Sequence, residues 1–112
     1  MNDDGPARIS TVIDATEAGL TEVLHALSDP VRRAIVRGLA QDGARACGTF
    51  GHLGVSSSTL SHHFRVLREA GLIETPDEGR QRVSTLRRDE LERRFPGLLA
   101  LVDGEDRTRP GQ

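Results

Sequence analysis

The stretch from Ser56 to Gly71, SSSTLSHHFRVLREAG, constrains this chain more than any other. Leu60, Phe64 and Leu67 recur at i, i+4 and i+7, which gathers them on one side of a helix. Ser58, Ser61, His62, Arg65 and Arg68 fall on another side and present hydroxyls, an imidazole and guanidinium groups. Ser56 suits the N-cap, because its hydroxyl can accept from a free amide of the first turn. Gly71 suits the far end, where a left-handed residue closes helices. An apolar back and a short polar front fit a helix that lies in a DNA groove.

The other 96 of the 112 residues place limits on that helix. The length is that of one domain with a modest core. Apolar residues make up 36% and the aromatics are Phe50, Phe64 and Phe95, so a partner chain is expected to complete the burial. No apolar run approaches the ~20 residues of a membrane helix. The start, Met1 to Pro6, is acidic and lacks the hydrophobic segment of a signal peptide. A single cysteine, Cys47, forms no intrachain disulfide. A cytoplasmic protein without a membrane partner is expected. The net charge of −2 hides an asymmetry: acids dominate before Pro30, and arginines dominate from Arg32 to Arg94.

Taken in order, residues 1–15 form an N-terminal extension without firm period. Leu20, Val23, Leu24 and Leu27 then predict an amphipathic helix over Thr16 to Leu27. Asp29 as N-cap and Pro30 in the first turn start the next helix, with Val31, Ala34, Ile35, Gly38 and Leu39 as its stripe. Arg32, Arg33 and Arg37 lie off that stripe. Ala46 to Leu53 is expected to be a short helix despite Gly48 and Gly51. Gly54-Val55 turns into Ser56, so helix, turn and helix follow one another as in a helix-turn-helix. Two β-leaning segments, Leu72–Thr75 and Arg82–Leu86, flank the turn residues Pro76 to Gly79 and predict a β-hairpin, the wing. Arg87 to Phe95 returns to helix, with Asp89 as a possible cap. Pro96-Gly97 breaks it, and Leu98, Leu101 and Val102 form a last stripe. Residues 103–112 read as a disordered tail, which leaves 16–102 as the domain. The expected fold is mainly α with a small β-hairpin, a winged helix-turn-helix in the order α-α-α-α-β-β-α.

Two segments carry a resemblance. LHALSDPVRRAIV (Leu24–Val36) and SHHFRVLREAGLI (Ser61–Ile73) resemble the arsenic-repressor-like (ArsR/SmtB) winged helix-turn-helix transcription regulators, and the likeness covers Leu20 to Val102. The resemblance implies a homodimer joined through its first and last helices. It implies binding to a pseudo-palindromic operator, with an effector that changes DNA affinity. The sequence departs from the metal-sensing members. Where they carry a Cys-x-Cys-Asp-like box, this chain has Arg45-Ala46-Cys47-Gly48. Where they carry Asp and His pairs on the last helix, Leu86 to Val102 has no histidine. Neither family metal site carries over, and no metal or cofactor is expected.

The site residues follow. Ser57, Ser58, Ser61 and His62 are the base-contacting candidates, since hydroxyl and imidazole groups can donate to or accept from base edges. Thr59, Arg65, Arg80 and Arg82 are the phosphate candidates, with Arg32 and Arg45 weaker. His63 is expected to be a partly buried contact between helix and wing. Leu20, Val23, Leu24, Leu91, Leu98, Leu101 and Val102 are the candidates for the dimer interface. Cys47 fits a small buried residue better than a redox-active thiolate. An enzyme is not expected: serines and histidines share one convex helix, without a nucleophile elbow or an orienting acid. The leading reading is a homodimeric DNA-binding transcription regulator, with repression the usual outcome of such proteins and activation open. The alternative is a winged-helix module that binds another protein, for example a separate sensor.

Overall fold

Asp29-Pro30 is where the chain stops one helix and starts the next, and the computed structural model, which describes residues 19–76 and 83–105, shows how. Helix α1 spans Leu20–Ala26 and α2 spans Pro30–Asp42. The Asp29 carboxylate accepts from the amides of Val31 at 2.7 Å and Arg32 at 3.2 Å, while Pro30 takes a position that needs no amide hydrogen. The expected beginning of α1 at Thr16 lies outside the described residues. After α2 come strand β1 (Ala44–Ala46), a 3-10 helix (Cys47–Leu53), α3 (Ser57–Glu69), β2 (Ile73–Glu74), β3 (Val83–Leu86), α4 (Arg88–Arg94) and α5 (Leu98–Gly104).

The fold is mainly helical with one small antiparallel sheet, as the sequence predicts, but the sheet is larger than a hairpin. Its order is β1-β3-β2. Ala44, Arg45 and Ala46 pair with Thr85, Ser84 and Val83, and Ile73 and Glu74 pair with Leu86 and Thr85. β1 has three residues, too few to show a period of two, so the sequence does not reveal it. The segment expected as a short helix from Ala46 is instead 3-10, kinked at Phe50 (φ −100°, ψ 17°), between the glycines at 48 and 51 that weaken regular helix. Asp89 does not cap α4. The N-cap is Arg87, and Asp89 lies inside the first turn. The break at Pro96-Gly97 is present, with Gly97 at φ +88°. α5 runs past the expected limit at Val102, because Glu105 just beyond it is tied to α2 by Arg33 and Arg37, each at 2.8 Å.

The core is shared by every helix: Val23 and Ala26 from α1, Ile35 and Leu39 from α2, Leu60, Phe64 and Leu67 from α3, Leu91 from α4, Leu99 and Val102 from α5. Phe50 from the kink packs on Phe64 with ring centroids 5.6 Å apart and planes at 60°, an arrangement favoured by the ring quadrupoles. The Arg45 guanidinium lies over the Phe50 ring, 4.0 Å from its centroid. Three of the residues expected at a dimer interface are buried in this core. Val23 and Leu91 are fully buried within the chain, and Val102 is 5% exposed. The apolar stripes of the terminal helices are wider than one face, and their inner halves are used internally. Leu98 is half-buried, and Leu20, Leu24 and Leu101 face outward at 55%, 52% and 73% exposure.

Gly38 shows how close α2 comes to the kink. A methyl group there would lie 2.9 Å from both Arg45 Nη1 and Phe50 Cε1. Arginine can move aside, but the Phe50 ring is fixed between Phe64 and α2. Gly38→Ala gains about 1 kcal/mol of helix propensity and loses about 1–3 kcal/mol to overpacking. The expected net result is destabilisation, read as a lower urea midpoint with an unchanged m-value.

Candidate nucleic-acid interface

The site is built on α3. Ser56 starts it: its Oγ accepts from the Thr59 amide at 3.1 Å and donates to Thr59 Oγ1 at 2.9 Å. Ser58 Oγ lies 3.3 Å from the same hydroxyl. At the other end Gly71, at φ +84°, donates to the Arg68 carbonyl at 3.0 Å, and Leu72 donates to the Leu67 carbonyl at 3.0 Å. This is the Schellman closure, in which Leu67 and Leu72, both fully buried, supply the accompanying apolar contact. It turns the chain straight into β2, so the wing's direction is set by the last turn of α3.

Between those ends the two faces separate cleanly. Leu60, His63, Phe64 and Leu67 are buried, while Ser57, Ser58, Ser61, His62 and Arg65 are exposed. At about 100° per residue the exposed five share an arc of about 140°. Thr59 is also exposed but lies at the edge, with its hydroxyl engaged by Ser56. Arg65 has no ion-pair partner among the described residues. The structure thus brings together six of the eight expected DNA contacts, and Arg80 and Arg82 lie outside the described residues.

Several sequence expectations change. Among the described residues the hydrogen-bonding partner of His63 lies on α2 and not on the wing: Nδ1 is 3.0 Å from Arg32 Nη1. Arg32 is not available to phosphate: it is 7% exposed, and its Nε donates to the Ala26 carbonyl at 2.6 Å. Arg45 is occupied by Phe50, Thr49 and Asp42. The i+31 spacing of Arg32 and His63 carries no local signal, and this contact was not legible in the sequence. Cys47 is half-buried with Sγ 3.9 Å from Ser84 Oγ, and Ser84 also meets Thr75 Oγ1 at 2.8 Å. Among the described residues no three His, Cys, Asp or Glu side chains converge as a metal site would need, and no helix is long and apolar enough to cross a membrane.

Burial works hardest on the His63 ring and lowers its pKa; Asp29 opposes this, and Arg32 and His62 add to it. At Asp29 burial acts to raise the pKa, but the Arg32 and Val31 amides, with His63 and Arg32 nearby, outweigh it and hold the carboxyl below its ordinary value.

A helix, a kinked turn, a helix with a bare polar face and a strand pair that follows it together define a winged helix-turn-helix DNA-binding domain. The comparisons agree. A helix-turn-helix domain model matches residues 27–76. The HTH-type transcriptional regulator YceK of Bacillus subtilis is 39% identical over 80 residues, 70% of this chain and 80% of its own. CmtR of Mycobacterium tuberculosis, another HTH-type transcriptional regulator, is 35% identical over 95 residues, 84% of this chain and 80% of its own. Among solved structures, the transcriptional repressor BigR of Xylella fastidiosa superposes with a TM-score of 0.64 at 27% identity, covering 94% of this chain and 98% of that one. The chain belongs to the ArsR/SmtB family of helix-turn-helix transcription regulators. These relatives are regulators and not enzymes.

The shifts of His63 and Asp29 give a pH dependence of stability. His63 titrates below 6.5 in the folded chain, so on acidification the unfolded chain takes up a proton first and the folded state loses ground. Asp29 acts in the same direction lower down, as its carboxylate is protonated more readily in the unfolded chain, where the ordinary value is 3.8. Stability is therefore full above the unfolded-state values and declines below them. The urea midpoint is expected to fall from about pH 7 to about pH 5, and to fall less in His63→Asn.

Proposed function

We infer that the chain acts as a homodimeric, sequence-specific repressor that binds a pseudo-palindromic operator. The observation that carries this reading is the bare polar arc of α3 above a fully buried back. Ser57, Ser58, Ser61 and His62 read base edges in the major groove, and Arg65 with Thr59 contacts phosphate. Arg80 and Arg82 of the wing are assigned to phosphate on their place in the sequence. Repression is supported by the likeness to BigR, named a transcriptional repressor. The effector acts elsewhere than at a thiolate metal box, because Arg45 to Gly48 offers one thiolate.

The dimer forms through α1 and α5. Leu24, Leu27, Leu98, Leu101 and Val102 line a groove of about 390 Å³ between these helices, with Arg33 and Glu105 at its side. This is an apolar face that a second copy would cover by two-fold symmetry, with exposed Leu20 four residues before Leu24 on the same helix. Such symmetry sets two copies of α3 into successive major grooves. Leu101→Glu is expected to shift the species seen by analytical ultracentrifugation from dimer to monomer at micromolar concentration, with the far-ultraviolet circular dichroism retained.

DNA reading is tested by titrating the protein against the duplex upstream of its own gene at two salt concentrations. Binding that weakens steeply with salt and prefers one sequence supports it; weak, salt-insensitive binding without preference refutes it and favours a protein partner. Arg65→Ala is expected to weaken every sequence alike and to lower the salt slope by about one per protomer. His62→Ala is expected to cost about 1–3 kcal/mol on the preferred sequence and to relax discrimination there.

A further inference from the structure

Beneath the exposed arc of α3, three helices meet on one guanidinium. Arg32 Nε donates to the Ala26 carbonyl at 2.6 Å and Nη2 reaches the His25 carbonyl at 3.4 Å, so α2 holds the C-terminal end of α1. Nη1 of the same group lies 3.0 Å from His63 Nδ1 on the inner face of α3. Both side chains are 7% exposed. Arginine only donates, so Nδ1 must present its lone pair and the ring proton sits on Nε2. The contact exists only with a neutral imidazole. A second proton would set two donors and two positive charges against each other at that distance.

We propose that Arg32 and His63 are a positioning pair for DNA binding: the neutral His63 ring seats the recognition helix on Arg32, and a proton on that ring unseats it and weakens DNA binding. This rests on the reading of α3 as the recognition helix. His63 is one residue from His62 and two from Ser61, so a shift of the inner ring moves the outer donors with it. Arg32 ties the same joint to α1, whose Leu20 and Leu24 form part of the proposed dimer face. The pair therefore joins the two surfaces on which operator binding depends.

Among the described residues, charged and titratable groups flank the ring from α1, α2 and α3. Arg32 and Asp29 act from the start of α2, and His62 acts from α3 with its ring centroid 5.7 Å away. Glu22 and His25 of α1 and Glu69 of α3 line the adjoining groove beside Val66 and Ala70. Burial is the largest influence on the ring, and it favours the neutral form.

The test measures affinity of the full chain for a labelled duplex from its own upstream region, from about pH 8 to about pH 5.5, at constant ionic strength. Wild type, His63→Asn and His62→Ala are compared. Asparagine is neutral throughout and offers Oδ1 near the place of Nδ1. Wild type is expected to lose affinity as pH falls, approaching about tenfold per pH unit for each His63 of the bound species once the ring takes its proton. His63→Asn is expected to bind as wild type does at the alkaline end and to lack this loss. His62→Ala, with weaker binding overall, is expected to keep a loss of affinity on acidification that His63→Asn lacks. Parallel profiles for wild type and His63→Asn would overturn the proposal.

If no duplex is preferred at any pH, the DNA reading itself fails. The joint is then judged without DNA, by NMR on the wild-type chain. The proposal requires His63 as the Nε2–H tautomer and α3 amide shifts that titrate with its ring nitrogens. A ring that titrates while the α3 amides stand still would overturn it.

Discussion

One helix must be held firmly from behind and left bare in front, and the rest of the chain answers that demand. The back of α3 gives Leu60, Phe64 and Leu67 to the core and receives Phe50 from the kinked turn. Each such side chain contributes about 1.5–3 kcal/mol when buried, which is ample to fix a helix whose outer face gains nothing from folding. The serines on that outer face are indifferent to helix formation at best. The order of α3 therefore comes from behind it and from its two ends, where Ser56 and Gly71 satisfy the groups the helix leaves open.

Features that rest on local pattern were legible in the sequence. The apolar period of α3, the Asp29-Pro30 start, the glycine stop at Gly71 and the break at Pro96-Gly97 all depend on neighbours within a turn or two. What depends on distant partners was not. β1 exists because β3 has a second free edge, and Ala44-Arg45-Ala46 carries no pattern of its own. His63 and Arg32 read as polar residues at the margins of their helices, and only the packing of α3 across α2 makes them partners. Three of the interface candidates, Val23, Leu91 and Val102, lie in the core for a related reason. A stripe such as Leu20, Val23, Leu24 shows that a helix has an apolar side, but it does not show how much of that side the chain keeps for itself.

The terminal helices are short, and their setting depends on charge as well as packing. The Arg33 hydrogen bonds, with those of Arg37, hold the Glu105 carboxyl below its ordinary pKa, and Glu105 in turn raises that of Arg33. Both pairs lie at the surface, where each contributes little to stability. Their use is positional. They fix the end of α5 against α2, so that Leu98 and Leu101 stand beside Leu24 in one continuous apolar face. α2 thus holds α5 at one end through Arg33 and Arg37, and holds α1 and α3 at the other through Arg32.

That use of arginine changes what the charge asymmetry means. The run of arginines from Arg32 to Arg94 looks like a broad cationic surface, yet much of it is engaged by partners within the chain. Arg32 serves three helices, Arg33 and Arg37 clamp Glu105, Arg45 covers Phe50, Arg88 donates to the Ala40 carbonyl at 2.8 Å, and Arg94 pairs with Glu90. Such arginines act as planar multi-donor braces, a role lysine fills poorly. With a net charge of −2 on the whole chain, long-range attraction to DNA is weak. Recognition on the proposed reading then has to come from the shape of α3, the few cations set directly on that face, and the doubling that two-fold symmetry would provide. For a regulator of the proposed kind, losing the dimer or tilting the helix would cost more than losing any single charge.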